Sequence, residues 1–224
     1  MRLSDLAPLW LSLEVAALAA LAIVAAGIPL AVVLARGTFP GKGLLAGVLV
    51  LPLVLPPTVL GYELLWLLGR RWWVGAWLDR VLGVTVVFHW SGIVIASSVA
   101  AFPLFLLPAR GAIEAVDPAL EDAARLLGRR ELSVFLTVTL PLAWRGLAAG
   151  AVLAFTRALG DFGATMMVGG NLDGLTRTAA LAIYDAAQVN DDARAHGLTL
   201  CVAALSIAAL WIVQRTLPAR GSGR

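Results

Sequence analysis

Apolar residues fall along this chain in long runs separated by short polar segments. Five runs approach the roughly 20 residues a helix needs to cross hydrocarbon: Leu9 to Ala35, Leu44 to Leu68, Phe88 to Leu107, Leu142 to Val168 and Leu198 to Val213. The fourth carries Arg145, Arg157 and Asp161, and the fifth is short enough to put His196 or Gln214 at the membrane boundary. The first exceeds the roughly 7–15 apolar residues of a signal-peptide core, and the second follows after a tight turn, so a retained helix is expected.

A charged segment, Leu120 to Gly128, interrupts this pattern between the third and fourth spans. Asp117 can cap a short helix there, and Pro118 suits its first position. Glu121 stands four residues before Arg125, and Gly128 permits the left-handed turn that ends the helix. Leu120, Ala123, Ala124 and Leu127 then share a face that small residues keep open to a close-lying surface. A segment left in water with both ends tied to spans is a handle for a soluble partner. The residues expected to couple it to that partner are Leu120, Glu121, Asp122, Ala123, Ala124, Arg125, Leu127 and Gly128.

Helix breakers add to the pattern. Pro52, Pro56 and Pro57 fall inside the second span and predict a kink, because each removes a backbone donor. The kink serves either packing or a broken helix lining a path. Arg157 and Asp161, four apart, are expected on one helix face as a pair that lowers the cost of charge at membrane depth. They form either a structural ion pair or the border of a translocation path. Gly160 and Gly163 allow close helix approach, and Gly169-Gly170-Asn171 is expected to break the helix.

Composition changes the picture by setting the solvent. With 60% hydrophobic and 14% charged residues over 224 positions and a mean hydropathy of +0.89, one soluble core could not hide the apolar side chains. Seventeen Lys and Arg against fourteen Asp and Glu, with no dense basic tract, argue against nucleic acid as a partner. Cys201 excludes an intrachain disulfide and reads as packing. His89 and His196 have no ligand-spaced neighbours, so no metal site is expected. Gly37-Thr38-Phe39-Pro40-Gly41-Lys42 has three residues between its glycines where a phosphate loop needs four, and no Ser or Thr follows the lysine. Any nucleotide energy must come from another chain.

Charge also orients the spans. Arg36, Lys42, Arg110, Arg125, Arg129, Arg130, Arg145, Arg215, Arg220 and Arg224 fall on the side of the handle and the C-terminus. Arg2, Arg70, Arg71, Arg80, Arg177 and Arg194 fall opposite. The bias predicts a cytoplasmic handle and C-terminus with an external N-terminus. Trp66, Trp72, Trp73, Trp77 and Trp90 gather where the second and third spans would meet the outer interface.

Asp122-Ala123-Ala124, Gly128, Val138 and Leu140-Pro141 resemble the cytoplasmic loop motif of ABC importer permeases, with Asp for Glu and Val for Ile. Leu51 to Tyr62, the turn Phe39-Pro40-Gly41-Lys42, Glu114-Ala115-Val116-Asp117, and Ala158 to Thr165 resemble the molybdate permease subunits of that superfamily, which usually carry Glu where Asp161 stands. The resemblance covers nearly the whole chain. Met166 to Asn171 is also similar to tungstate permeases, and sulfate permeases share the plan. The resemblance implies an all-α integral membrane protein of about five transmembrane helices with a cytoplasmic coupling helix, the ABC importer permease (MetI-like) fold. Residues 1–224 would form one permease domain in a bacterial inner membrane, beginning too late for the extra N-terminal span of some relatives. It implies a homodimer around the path, with Pro56, Pro57, Arg157, Asp161 and Thr165 as path candidates. A partner ATPase would carry ATP and Mg, this chain would hold no cofactor and be no enzyme, and a binding protein would deliver molybdate. Tungstate or sulfate is the alternative cargo. A secondary transporter would need more midplane carboxylates than Asp161, and a membrane enzyme would need a catalytic cluster.

Overall fold

A computed structural model describes residues 6–83 and 86–216. Arg2, Arg220 and Arg224 of the charge tally lie outside the described residues. The elements are α1 (Leu6–Arg36), α2 (Lys42–Val54), α3 (Pro57–Leu68), α4 (Trp73–Leu82), α5 (Trp90–Glu114), α6 (Pro118–Leu126), α7 (Glu131–Val134), a π-helical segment (Phe135–Thr139), α8 (Leu140–Leu159), α9 (Gly163–Gly169), α10 (Ala179–Gln188) and α11 (Asp192–Thr216). Among the described residues there is no strand.

The core is built by α1, α5 and α8. Its buried positions are rich in alanine, including Ala16, Ala19, Ala101, Ala109, Ala143 and Ala154, with Ile23, Leu34, Phe105, Leu106 and Ile113 among the large members. Lipid is as apolar as any side chain, so spans associate through close packing at small residues. Gly146 illustrates it: a Cβ there would lie 2.3 Å from that of Ala112. The outer faces carry the larger apolar groups, such as Leu18 and Leu21 on α1 and Leu200 and Ile207 on α11.

Side-chain links sort the helix ends onto two faces. Arg36, at the end of α1, bonds the carbonyl of Val116 and the carboxylate of Glu121, so the ends of α1 and α5 share a face with α6. At the opposite face Ser12 accepts the N–H of Ala179, and Leu9 packs with Ala179 and Leu198. The start of α5 belongs there too, because the N–H of Phe88 bonds the carbonyl of Val168 near the end of α9.

The second run is not one kinked helix. It is two, α2 and α3, bent by 116° at the break. Leu55 and Pro56 are extended, with ψ of 140° and 136°, because each precedes a proline whose ring excludes the helical region. Pro57 then starts α3 at the position where its missing N–H costs nothing. The pair begins at the α6 face and ends near Val86 and Phe88 at the other. Counted as one interrupted crossing, it brings the candidate spans among the described residues to five.

The fourth run also differs from expectation. A continuous helical stretch begins at Glu131 and ends at Leu159, and α9 follows a break at Asp161 and Phe162. Near its start the helix widens into the π segment directly before Pro141, whose ring would collide with the carbonyl of Thr137 in a regular turn. The third span runs on to Glu114, and the fifth covers Asp192–Thr216, so His196 lies within it. Cys201 packs beside Leu198 and Ala182.

Candidate functional site

Helix α6 forms as its end residues dictate. Asp117 accepts the N–H of Ala119 at 2.9 Å and Pro118 occupies the first turn. At the far end Gly128 has φ of +78°. Its N–H bonds the carbonyl of Arg125 at 2.9 Å, and that of Arg129 bonds Ala124 at 3.2 Å. This is the paired closure of a Schellman turn, which needs a left-handed residue at the glycine position.

The exit is pinned by Arg125. Its guanidinium bonds Glu131 at 2.7 and 3.1 Å and Asp122 at 2.7 Å. The hydrogen bonds it donates to Glu131, then to Asp122, push the Arg125 guanidinium above its ordinary range. Beside this fork stand apolar groups with no cover: Leu126 is 90% exposed, Leu127 85%, and Leu120 and Leu132 are exposed as well. Large exposed apolar groups beside charged ones make this end of α6 a candidate contact surface. Asp122, Ala123 and Gly128 are also exposed, and Ala124 is half-buried. Leu126 was missed in the sequence because the face was drawn through Leu120, Ala123 and Leu127.

Glu121 lies elsewhere. Only 4% exposed, it turns away from the outer face toward the spans. Its Oε1 accepts from Arg36 Nη2 at 3.0 Å and from Thr139 Oγ1 at 2.8 Å, and Arg125 Nη2 stands 3.8 Å from Oε2. Arg36 and Thr139 escaped the sequence reading because they are 85 and 18 residues away.

The path candidates form a second constellation, at the end of α8 and the starts of α3 and α9. Arg157 Nη1 lies 3.0 Å from Asp161 Oδ1. The two do not share one helix: Arg157 lies in the last turn of α8, whereas Asp161 stands in the break and accepts the N–H of Thr165, in the first turn of α9, at 3.1 Å. Thr165 returns its hydroxyl to the carbonyl of Asp161 at 3.0 Å. Asp161 is 1% exposed, while the side chain of Arg157 is 30% exposed.

The two broken spans meet here. A Cβ on Gly163 would lie 2.7 Å from the Cβ of Pro57, and one on Gly61 would lie 2.9 Å from the Cα of Ala164. Half-helices α3 and α9 thus touch backbone to backbone, each starting just after its break. Pro57 is brought beside the Asp161–Thr165 turn, and Pro56 holds the cap position of α3. Each half-helix thus starts at a break in its span, and the two pack against each other with no side chain between them at these glycines.

Residues 27–220 match the family described as binding-protein-dependent transport system inner membrane component. The chain is 46% identical over 198 residues to the molybdenum transport system permease protein ModB of Escherichia coli K12, covering 88% of this chain and 86% of that protein. It is 41% identical over 219 residues to the protein of the same name from Haemophilus influenzae, covering 95% of each. Among solved structures, an amino acid ABC transporter crystallised with histidines superposes with a TM-score of 0.59 at 20% identity, over 96% of this chain and 91% of that one. At that identity the likeness concerns the fold, which is the ABC permease fold.

Proposed function

The chain belongs to the binding-protein-dependent transport system inner membrane components, and we propose from that membership that it is the permease subunit of an ATP-driven molybdate importer. The observation that carries the reading is near full-length similarity to molybdenum transport permeases, 46% over 88% of the chain. It is a transport subunit of a multi-pass membrane protein family. Residues 1–224 act as one permease domain, with the N-terminus outside and the C-terminus in the cytoplasm.

Two copies enclose the path. A separate ATPase, which holds ATP and Mg, docks on the exposed face of α6 around Leu120, Ala123, Ala124, Leu126 and Leu127, and a binding protein delivers the oxyanion at the opposite face. This chain holds no cofactor. ATP-driven closure of the ATPases moves the handles together, and the spans rock between inward-facing and outward-facing states. Pro56, Pro57, Arg157, Asp161 and Thr165 border the path, supported by the meeting of α3 and α9 at two breaks. The guanidinium of Arg157, partly exposed beside its carboxylate, suits brief contact with a passing anion.

The test is transport by proteoliposomes holding this chain with its ATPase and binding protein. ATP-dependent uptake of labelled molybdate, outcompeting sulfate, is expected. Uptake of sulfate or tungstate in preference would reassign the cargo, and uptake without ATP would reject the class.

A further inference from the structure

The handle must pass force to the spans, and its covalent ends are turns. On the α5 side Val116 and Asp117 lead in; on the α8 side Gly128 to Arg130 lead out. A turn transmits displacement poorly unless something braces the helix laterally. Glu121 supplies that brace. One nearly buried carboxylate on α6 receives Arg36 from the end of α1 and Thr139 from the π segment ahead of α8, at 3.0 and 2.8 Å. The same nitrogen of Arg36 donates to the carbonyl of Val116 at 2.8 Å, where α5 turns into α6. The helices so joined, α1, α5 and α8, are the three that build the core.

We infer that the Glu121–Arg36–Thr139 cluster is the mechanical link that converts movement of α6 into movement of the core spans, with Glu121 as a positioning residue outside the ATPase contact. The inference rests on α6 being the ATPase handle. Two features set this cluster apart from an ordinary surface pair. Its carboxylate is nearly buried and accepts from two other elements, where little water competes for those bonds. The π segment aims Thr139 inward at that carboxylate: a wider turn shifts the facing of side chains, and such turns gather at functional sites. Arg125 stands 3.8 Å from the other oxygen, which connects the brace to the fork that fixes the exit of α6.

A link predicts uncoupling and not loss of docking. Glu121→Gln keeps the shape and one acceptor for Thr139 but removes the charge that Arg36 needs, and Arg36→Gln removes the other partner. Each is reconstituted with the ATPase and binding protein, and two quantities are read: ATPase recovered per permease, and molybdate moved per ATP hydrolysed. Recovery is expected at the wild-type level while molybdate per ATP falls roughly fivefold or more, the scale of a coupling free energy between sites. The double variant is expected to fall no further than the worse single, because both remove one interaction.

Molybdate per ATP within about twofold of wild type in both singles would overturn the inference, being below that coupling scale. Loss of ATPase recovery would overturn it as well, since Glu121 would then belong to the docking contact. Where Glu121→Gln fails to accumulate, Thr139→Val reads the same link from its other end under the same criteria. A wild-type chain that recruits no ATPase rejects the proposed function itself, before any variant is compared.

Discussion

Gly61 and Ala164 lie so close that a Cβ on the glycine would stand 2.9 Å from the Cα of the alanine. The α3–α9 contact therefore has no room for a side chain at this point. Gly61→Ala forces the half-helices apart, at an expected cost of about 1–3 kcal/mol, and Gly61→Leu is expected to abolish uptake. Gly47→Ala on α2, where a Cβ meets nothing within 4 Å, is the matched control. Thermal unfolding of the purified protein in detergent checks both, and equal melting temperatures for Gly61→Ala and Gly47→Ala would contradict the packing.

Arg157 and Asp161 give a second outcome. Arg157→Ala strands a buried carboxylate, and Asp161→Ala loses both the pair and the cap on Thr165. Breaking a buried pair from one side costs about 3–5 kcal/mol, so each single substitution is expected to destabilise strongly, Asp161→Ala more than Arg157→Ala. The double substitution should cost less than the sum, because only the first removal breaks the pair. A double-mutant cycle in unfolding free energy measures it, and strict additivity would show that the two do not interact.

Much of this architecture was legible in the residues. Helix α6 could be read because its signals are local: Asp117, Pro118 and Gly128 act within one turn of the helix they bound. Proline marked the first break for the same reason. The second break was hidden, since Arg157 and Asp161 have helical spacing and no proline stands between them. Its cause is competition: Asp161 bonds the N–H of Thr165 instead of continuing α8. The inward facing of Glu121 was not legible, because it is set by Arg36 and Thr139 and sequence distance conceals such partners. The early start of the fourth span was obscured by the charges at Arg129 to Glu131 and by the π turn.

Gly128 makes a prediction at the end of the handle. Its φ of +78° is strained for a β-branched residue by about 1–2 kcal/mol, whereas asparagine adopts the left-handed region more readily. Gly128→Val is expected to lose most uptake with insertion intact, and Gly128→Asn to retain more than Gly128→Val. Paired transport and membrane-fraction assays decide it, and equal uptake by the two variants would contradict a conformational role.

Orientation can be read by labelling. In a Cys201→Ser background, Leu126→Cys on the handle should react with an impermeant maleimide only after permeabilisation. Trp77→Cys, exposed on α4, should react in intact spheroplasts. The reverse pattern would invert the assigned topology.

Leu126 offers the most direct test of the account, because its side chain is 90% exposed and its removal costs the isolated chain little. A loss seen on Leu126→Asp therefore reports on a partner. The variant is co-expressed with the ATPase, purified through a tag on this chain and reconstituted with the binding protein, and recovered ATPase and ATP-dependent molybdate uptake are measured together. The account predicts normal insertion, with ATPase recovery and uptake both reduced roughly tenfold or more, as when a central interface contact is lost. Wild-type recovery together with wild-type uptake would contradict the claim that α6 is where ATP hydrolysis drives this permease.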